Sequence, residues 1–133
     1  MTMLVDTSVV VALALDEPEA PRLAATLRGA LHPVIGVQSV VEASCVLQRR
    51  VHAGADARID TLLAVHHIEI VDLPAEAARF ARVAWSEYGK GVGAPAVLNF
   101  GDCLVYGHAR ALGVPLLAKG DGFRRTDIDL VPY

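Results

Sequence analysis

The chain has 133 residues, 53% of them hydrophobic, with 12 basic and 15 acidic side chains and a formal net charge of −3. That length suits one domain over residues 1–133 with a single core, and the slightly acidic balance excludes nucleic-acid binding through bulk surface charge. The longest unbroken apolar run, residues 9–15, is far short of the roughly 18 residues a membrane-spanning helix needs, so no membrane association is expected.

Residues 3–5 read as a buried strand that ends at Asp6, and Thr7 and Ser8 follow as helix-capping residue types. Residues 8–15 read as the start of a helix rich in Val and Ala, and residues 18–30 as a second helix with proline near its first turn. A second strand is expected over residues 33–37, helices over 38–51 and 55–66, and a β-branched strand over 68–71. Pro74 opens a long helix running to Tyr88, and the glycines and proline of residues 89–95 make a loop. Residues 100–112 form a helix stopped by Gly113, residues 114–118 a strand, and Leu130 with Val131 a short last one. Strands alternating with helices imply an α/β fold, a mostly parallel sheet covered by helices on both faces.

No charged leader, cleavage site or transit-like stretch opens the chain, so a cytoplasmic protein is expected. A surplus of apolar residues without a membrane segment points to an interface, and a homodimer is the expectation. Cys45 and Cys103 lie far apart in predicted helices and read as two buried, reduced thiols. The five histidines show no metal-ligand spacing; His66 and His67 end a helix, where the helix C-terminus favours their charge. Basic residues gather as Arg49 and Arg50 at a helix end, Lys90 in the glycine loop, and Lys119, Arg124 and Arg125 around Asp121. Near the carboxylates they would form a basic rim; otherwise they are ordinary solvated charges.

Four acids stand at the ends or starts of regular elements: Asp6, Glu42, Asp102 and Asp121. In a parallel sheet, ligands gather at the carboxyl ends of the strands. Hard divalent cations take oxygen ligands, and one or two carboxylates with water and a substrate phosphate suffice. Asp6 either stabilises the helix after it, by up to about 1 kcal/mol, or is left free because Thr7 or Ser8 caps instead. Glu42 shares a helical stripe with Gln38, Cys45 and Arg49, which suits a solvated face. Its neighbours Val40, Val41, Val46 and Leu47 are apolar, however, and a buried Glu needs a partner or a cation. Asp102 sits among Phe100, Cys103, Leu104 and Gly107 at a helix start, facing a cleft. Asp121 lies in a Gly-Asp-Gly turn, where aspartate is often only a turn former.

Together these residues resemble PIN-domain ribonucleases, and most closely the VapC toxins of bacterial toxin–antitoxin pairs. The resemblance rests on Leu4-Val5-Asp6-Thr7-Ser8, on Glu42, and above all on Leu98-Asn99-Phe100-Gly101-Asp102-Cys103 followed by Pro115-Leu116-Leu117-Ala118-Lys119-Gly120-Asp121. The loop Tyr88-Gly89-Lys90-Gly91 and the segment Phe123-Arg124-Arg125-Thr126-Asp127-Ile128 extend it across essentially the whole chain. It implies a PIN-like three-layer α/β/α sandwich, Mg²⁺-dependent RNA cleavage in which Mn²⁺ can substitute, and inhibition by a VapB-type antitoxin. Asp6 and Asp102 match the family's chief metal-binding carboxylates and Glu42 its third acid. Relatives commonly place an acid directly before the Phe of the last motif; here Gly122 precedes Phe123, and Asp121 stands one residue earlier.

The expected chemistry is metal-assisted hydrolysis, in which a cation lowers the pKa of a water and neutralises phosphoryl charge. Asp6 and Asp102 would hold the cation, while Glu42 and Asp121 position the water or a second cation. Thr7 or Ser8 either caps its helix or donates a hydrogen bond at the site. Two other classes compete. A metal-dependent phosphatase using Asp6 as nucleophile would want a second Asp where Ser8 stands, and a receiver-like module would want acidic companions for Asp72. A catalytically inactive PIN-type RNA- or protein-binding module is the remaining alternative, set against the retention of the three strong acids.

Overall fold

The computed structural model describes residues 2–30, 32–92 and 97–133. Four strands, β1 (Thr2–Val5), β2 (His32–Gly36), β3 (Glu69–Val71) and β4 (Leu116–Leu117), form one sheet in the order β3-β2-β1-β4. Every pairing is parallel, with Leu4 opposite Val34 and Leu116, and Val5 opposite Ile35 and Leu117. Successive strand residues therefore feed opposite faces. Met3, Val5, Ile35 and Leu117 enter one buried cluster with Val9, Leu23, Leu47 and Ile59, while Leu4, Val34 and Leu116 enter another with Ala84, Val105 and Tyr106.

Those two clusters correspond to two helical layers. Helices α1 (Thr7–Ala14), α2 (Ala20–Arg28), α3 (Val37–Arg50) and α4 (Ala55–Val65) cover the first face, and α5 (Ala77–Tyr88) with α6 (Phe100–Leu112) cover the second. The result is the expected α/β/α sandwich. Gly113 ends α6 in the left-handed region, at φ 67, as a helix C-terminal glycine does.

Element ends differ from the sequence expectation for local reasons. Helix α2 starts at Ala20, so the proline in its first turn is Pro21 and not Pro18. Pro74 to Glu76 form a turn ahead of α5, with the Ala77 amide bonded to the Pro74 carbonyl at 2.9 Å. Leu130 makes a single bridge to Leu116 in place of a full strand. The expected loop at residues 89–95 lies partly outside the described residues, which here end at Val92 and resume at Val97. Cys103 is buried as expected, but Cys45 is exposed on the outer side of α3. The buried stripe of that helix is Ser39, Ala43 and Leu47, and Val41 is 59% exposed. No helix among the described residues is long and apolar enough to cross a membrane.

The second helical layer depends on one close approach. A Cβ added to Gly107 in α6 would meet the backbone nitrogen of Ala81 at 2.9 Å, its Cβ at 3.0 Å, and the carbonyl of Ala77. Backbone cannot yield as a flexible side chain can, so the helices would have to separate. Gly107→Ala should destabilise the fold by about 1–3 kcal/mol despite its better helix propensity. Urea unfolding checks this: an unchanged or raised midpoint would show that α5 and α6 can part without loss.

Candidate active site

The central strand β1 delivers Asp6 to the carboxyl edge of the sheet, where its amide is held by the Leu117 carbonyl at 2.9 Å. Asp6 is itself the N-cap of α1. Its Oδ2 accepts from the Ser8 amide at 3.1 Å, so neither Thr7 nor Ser8 takes over the cap and frees it. The Ser8 hydroxyl also hydrogen-bonds Asp6 and accepts from the Lys119 amide at 2.9 Å, which ties β1 to the turn after β4. The Thr7 hydroxyl points elsewhere, donating to the Ser39 carbonyl of α3 at 3.3 Å.

Asp102 occupies the first turn of α6. Asn99 caps that helix by accepting from the Asp102 amide at 2.8 Å, and Asp102 Oδ2 accepts from the Asn99 amide at 3.1 Å. This reciprocal capping box fixes one carboxylate oxygen. The other, Oδ1, makes no hydrogen bond among the described residues. Glu42, in the second turn of α3, reaches across to the same place. Its carboxylate lies directly against Gly101, where any Cβ would stand 3.1 Å from Cδ and 3.2 Å from Oε1. Only a glycine at that position lets the Glu42 carboxylate come up to the start of α6.

The energetics follow from this crowding. Asp6 is almost wholly buried, at 6% exposure, and its carboxyl is pushed up to about 6 from an ordinary 3.8. Loss of hydration is the largest cause. The two Ser8 hydrogen bonds oppose it, while the charges of Asp102 and Glu42 add to it. Asp102 is also raised, first by burial and then by Glu42, against the lowering effect of its bond to Asn99. Charges that reach Asp6 from Asp102 and Glu42, and Asp102 from Glu42, make the three acids near neighbours.

The remaining expectations fare differently. Asp121 stands apart in the exposed turn after β4, its Oδ1 3.5 Å from Arg124 Nη1, and it is not among the charges that raise Asp6 or Asp102. The expected basic rim is largely spoken for. Lys119 turns to Glu17 at 3.0 Å and Glu19 at 3.8 Å in the α1–α2 turn. Arg49 and Arg50 lie at the far end of α3, about 10 Å along the axis from Glu42. His66 does not gain charge from its helix end, because burial and then the charge of Arg28 lower its pKa. His108 is fully buried and also lowered by burial, with Gln38 Nε2 3.3 Å from its Nδ1, so it is a neutral part of the scaffold. Of the two roles open to Ser8, its hydroxyl takes the hydrogen bond at the site, to Asp6. Sequence reasoning missed Phe100, counted among the apolar surroundings of Asp102 although it is 71% exposed. Only its place as the first residue of α6, ahead of the buried face, hinted at that.

The donor set suits a hard cation. Among the described residues no group of three His, Cys, Asp or Glu side chains is placed to hold a metal ion. Mg²⁺ does not need one, because it keeps several waters and binds through one or two carboxylates. A buried aspartate held up near 6, next to two more acids, is the environment a divalent cation would relieve.

Comparison with known proteins agrees with this arrangement. Residues 3–129 match the family model for the PIN domain. Ribonuclease VapC30 of Mycobacterium tuberculosis is 37% identical over 129 residues, covering 97% of this chain and 98% of that protein. Among solved structures, the fold is similar to VapC20 of Mycobacterium tuberculosis, described as a sarcin-ricin loop cleaving toxin, with a TM-score of 0.78, 15% identity, and coverage of 98% and 99% of the two chains. It is also similar to VapBC2 of Rickettsia felis bound to a DNA fragment from the promoter, with a TM-score of 0.74, 17% identity, and coverage of 99% and 98%. The sheet order, the carboxyl-edge acids and the match along nearly the whole chain lead to one assignment: this chain belongs to the PIN-domain family, among its VapC ribonucleases.

Proposed function

We propose that the chain is a Mg²⁺-dependent endoribonuclease, with Mn²⁺ able to substitute, and the toxin of a type II toxin–antitoxin pair. The observation that carries the mechanism is the nearness of Asp6, Glu42 and Asp102 at the carboxyl edge of the sheet, where the charges of Asp102 and Glu42 raise Asp6 and that of Glu42 raises Asp102. Asp6 and Asp102 would hold the cation, since both are oriented in advance, one by Ser8 and the other by the Asn99 capping box. When bound, the cation would acidify a water and offset charge on the phosphoryl oxygens. Glu42 has no hydrogen bond or ion pair among the described residues, so its Oε atoms are available to orient the attacking water and accept its proton. Asp121 takes the outermost role, at the rim of the site, where it must first leave Arg124.

A covalent route has little support. The Cys103 thiol is pushed up by burial and then by Asp102, and the Ser8 hydroxyl is committed to Asp6 and Lys119. The proposed partner is a VapB-type antitoxin, supported by the toxin–antitoxin relatives with which the fold is shared. The proposed setting is the cytoplasm, and the proposed state a homodimer, supported by the apolar surplus of the chain. Light scattering should give twice the 14.1 kDa chain mass at micromolar concentration; a monomer mass would reject the dimer.

Asp6→Asn and Asp102→Asn should each lower RNA cleavage at least roughly a hundredfold while the fold persists, because an asparagine oxygen can still accept from the Ser8 and Asn99 amides. EDTA should abolish cleavage and Mg²⁺ restore it. Asp121→Asn should cost less than about tenfold. Full activity in EDTA, or in either of the first two variants, would reject the mechanism.

The buried Asp6 also sets a pH dependence. Its folded pKa of about 6 exceeds the ordinary 3.8, so the fold favours the protonated form. Its stability contribution is therefore complete below about pH 4 and is lost as pH rises through 6. In the metal-free protein this amounts to about 3 kcal/mol between pH 4 and pH 8. Thermal melts in EDTA should fall across that window, Asp6→Asn should flatten the fall, and added Mg²⁺ should oppose it. Parallel profiles for wild type and Asp6→Asn between pH 4 and pH 8 would show that Asp6 is solvated.

A further inference from the structure

Phe100 is the most exposed of the large apolar side chains of the described residues, and it lies in the same helical turn as Asp102. Its ring borders two hollows. One, of about 570 Å³, lies between α5 and α6 and is walled by Trp85, Arg82 and Cys103. The other, of about 470 Å³, runs across α3 past Glu42 and Gly101. The ring thus adjoins the hollow that holds one of the site's carboxylates, and the Trp85 indole, 44% exposed, faces the adjoining groove.

We propose that Phe100 is a stacking platform for an unpaired nucleobase of the RNA substrate, with Trp85 as a second aromatic wall beside it. This rests on the ribonuclease reading and narrows it to single-stranded segments, because a base in a duplex has both faces covered by its neighbours. Charge leaves room for it. Lys119 is paired with Glu17 and the chain carries a net −3, so attraction to phosphates alone is weak. Stacking on exposed aromatics supplies affinity that needs no surface charge and tolerates any base. Arg82, which forms no ion pair among the described residues, lines the same groove and is placed to meet the backbone. Phe100 is then a positioning residue: it fixes the nucleotide beside the scissile phosphate and performs no chemistry.

The test uses a single-stranded oligoribonucleotide whose cut position has been mapped, and Phe100→Leu, Phe100→Ala and Phe100→Tyr variants checked for fold by circular dichroism. Leu keeps an apolar side chain without an aromatic face, and Tyr keeps the face. The Leu and Ala variants should lose roughly tenfold or more in kcat/KM, mainly through KM, with Tyr within about twofold of wild type. An abasic nucleotide beside the cut should penalise wild type similarly and add nothing to the loss in Phe100→Leu. Trp85 is the only tryptophan, so RNA titrated with Ca²⁺ in place of Mg²⁺ should quench its fluorescence in wild type and less tightly in Phe100→Leu. Wild-type kinetics and binding in Phe100→Leu would overturn the proposal. So would a changed molecular mass in that variant with no quenching in wild type, which would assign the patch to a protein contact. Quenching that depends on Phe100 without any Mg²⁺-dependent cleavage would sustain the stacking site and reject the ribonuclease reading alone.

Discussion

The carboxylate of Asp6 answers two opposing demands. Its strand is the second from one edge of a sheet covered on both faces, so it is cut off from water, and a charge there loses hydration. The same position is the start of α1, where amide groups without helical partners favour a negative charge. The Ser8 amide and hydroxyl partly compensate the buried oxygen atoms, and the remainder appears as a carboxyl that resists ionising. A buried carboxyl left under-compensated in this way marks a candidate functional position.

The other acids are arranged around that deficit. Asp102 is held by its own helix cap, while Glu42 is given room, though no hydrogen bond, by the absence of a side chain at Gly101. Both oppose the ionisation of Asp6, which is itself fixed by Ser8. The layers on the two faces of the sheet share the three acids. Asp6 and Glu42 come from the layer of α1 and α3, Asp102 comes from α6 on the other face, and the three meet only where the parallel strands end.

Much of this could be read from the chain itself. Short apolar runs separated by helical patterns specify a parallel sheet between helices, and an acid at the end of the first run marks the carboxyl edge. The motif around Asp102 was legible for the same reason: Asn99 and Asp102 form a local cap, and local chemistry is written in adjacent residues. What escaped was decided by contacts distant in sequence. Lys119 pairs with Glu17 and Glu19 about a hundred positions away, and the far side of α3 is left uncovered, which exposes Cys45 and Val41. Phe100 reads as core in any tally of apolar residues; only the fold reveals that nothing is packed over it.

Gly101 gives the site a weak point that carries no charge. Evicting the Glu42 carboxylate would take one methyl group, and all four acids would still be present in the sequence. On the mechanism proposed above, two chains with identical carboxylates would differ in competence through a residue that is not itself an acid. A survey of such chains that counts acids alone would score a disarmed copy as intact, whereas one that also reads position 101 would separate them.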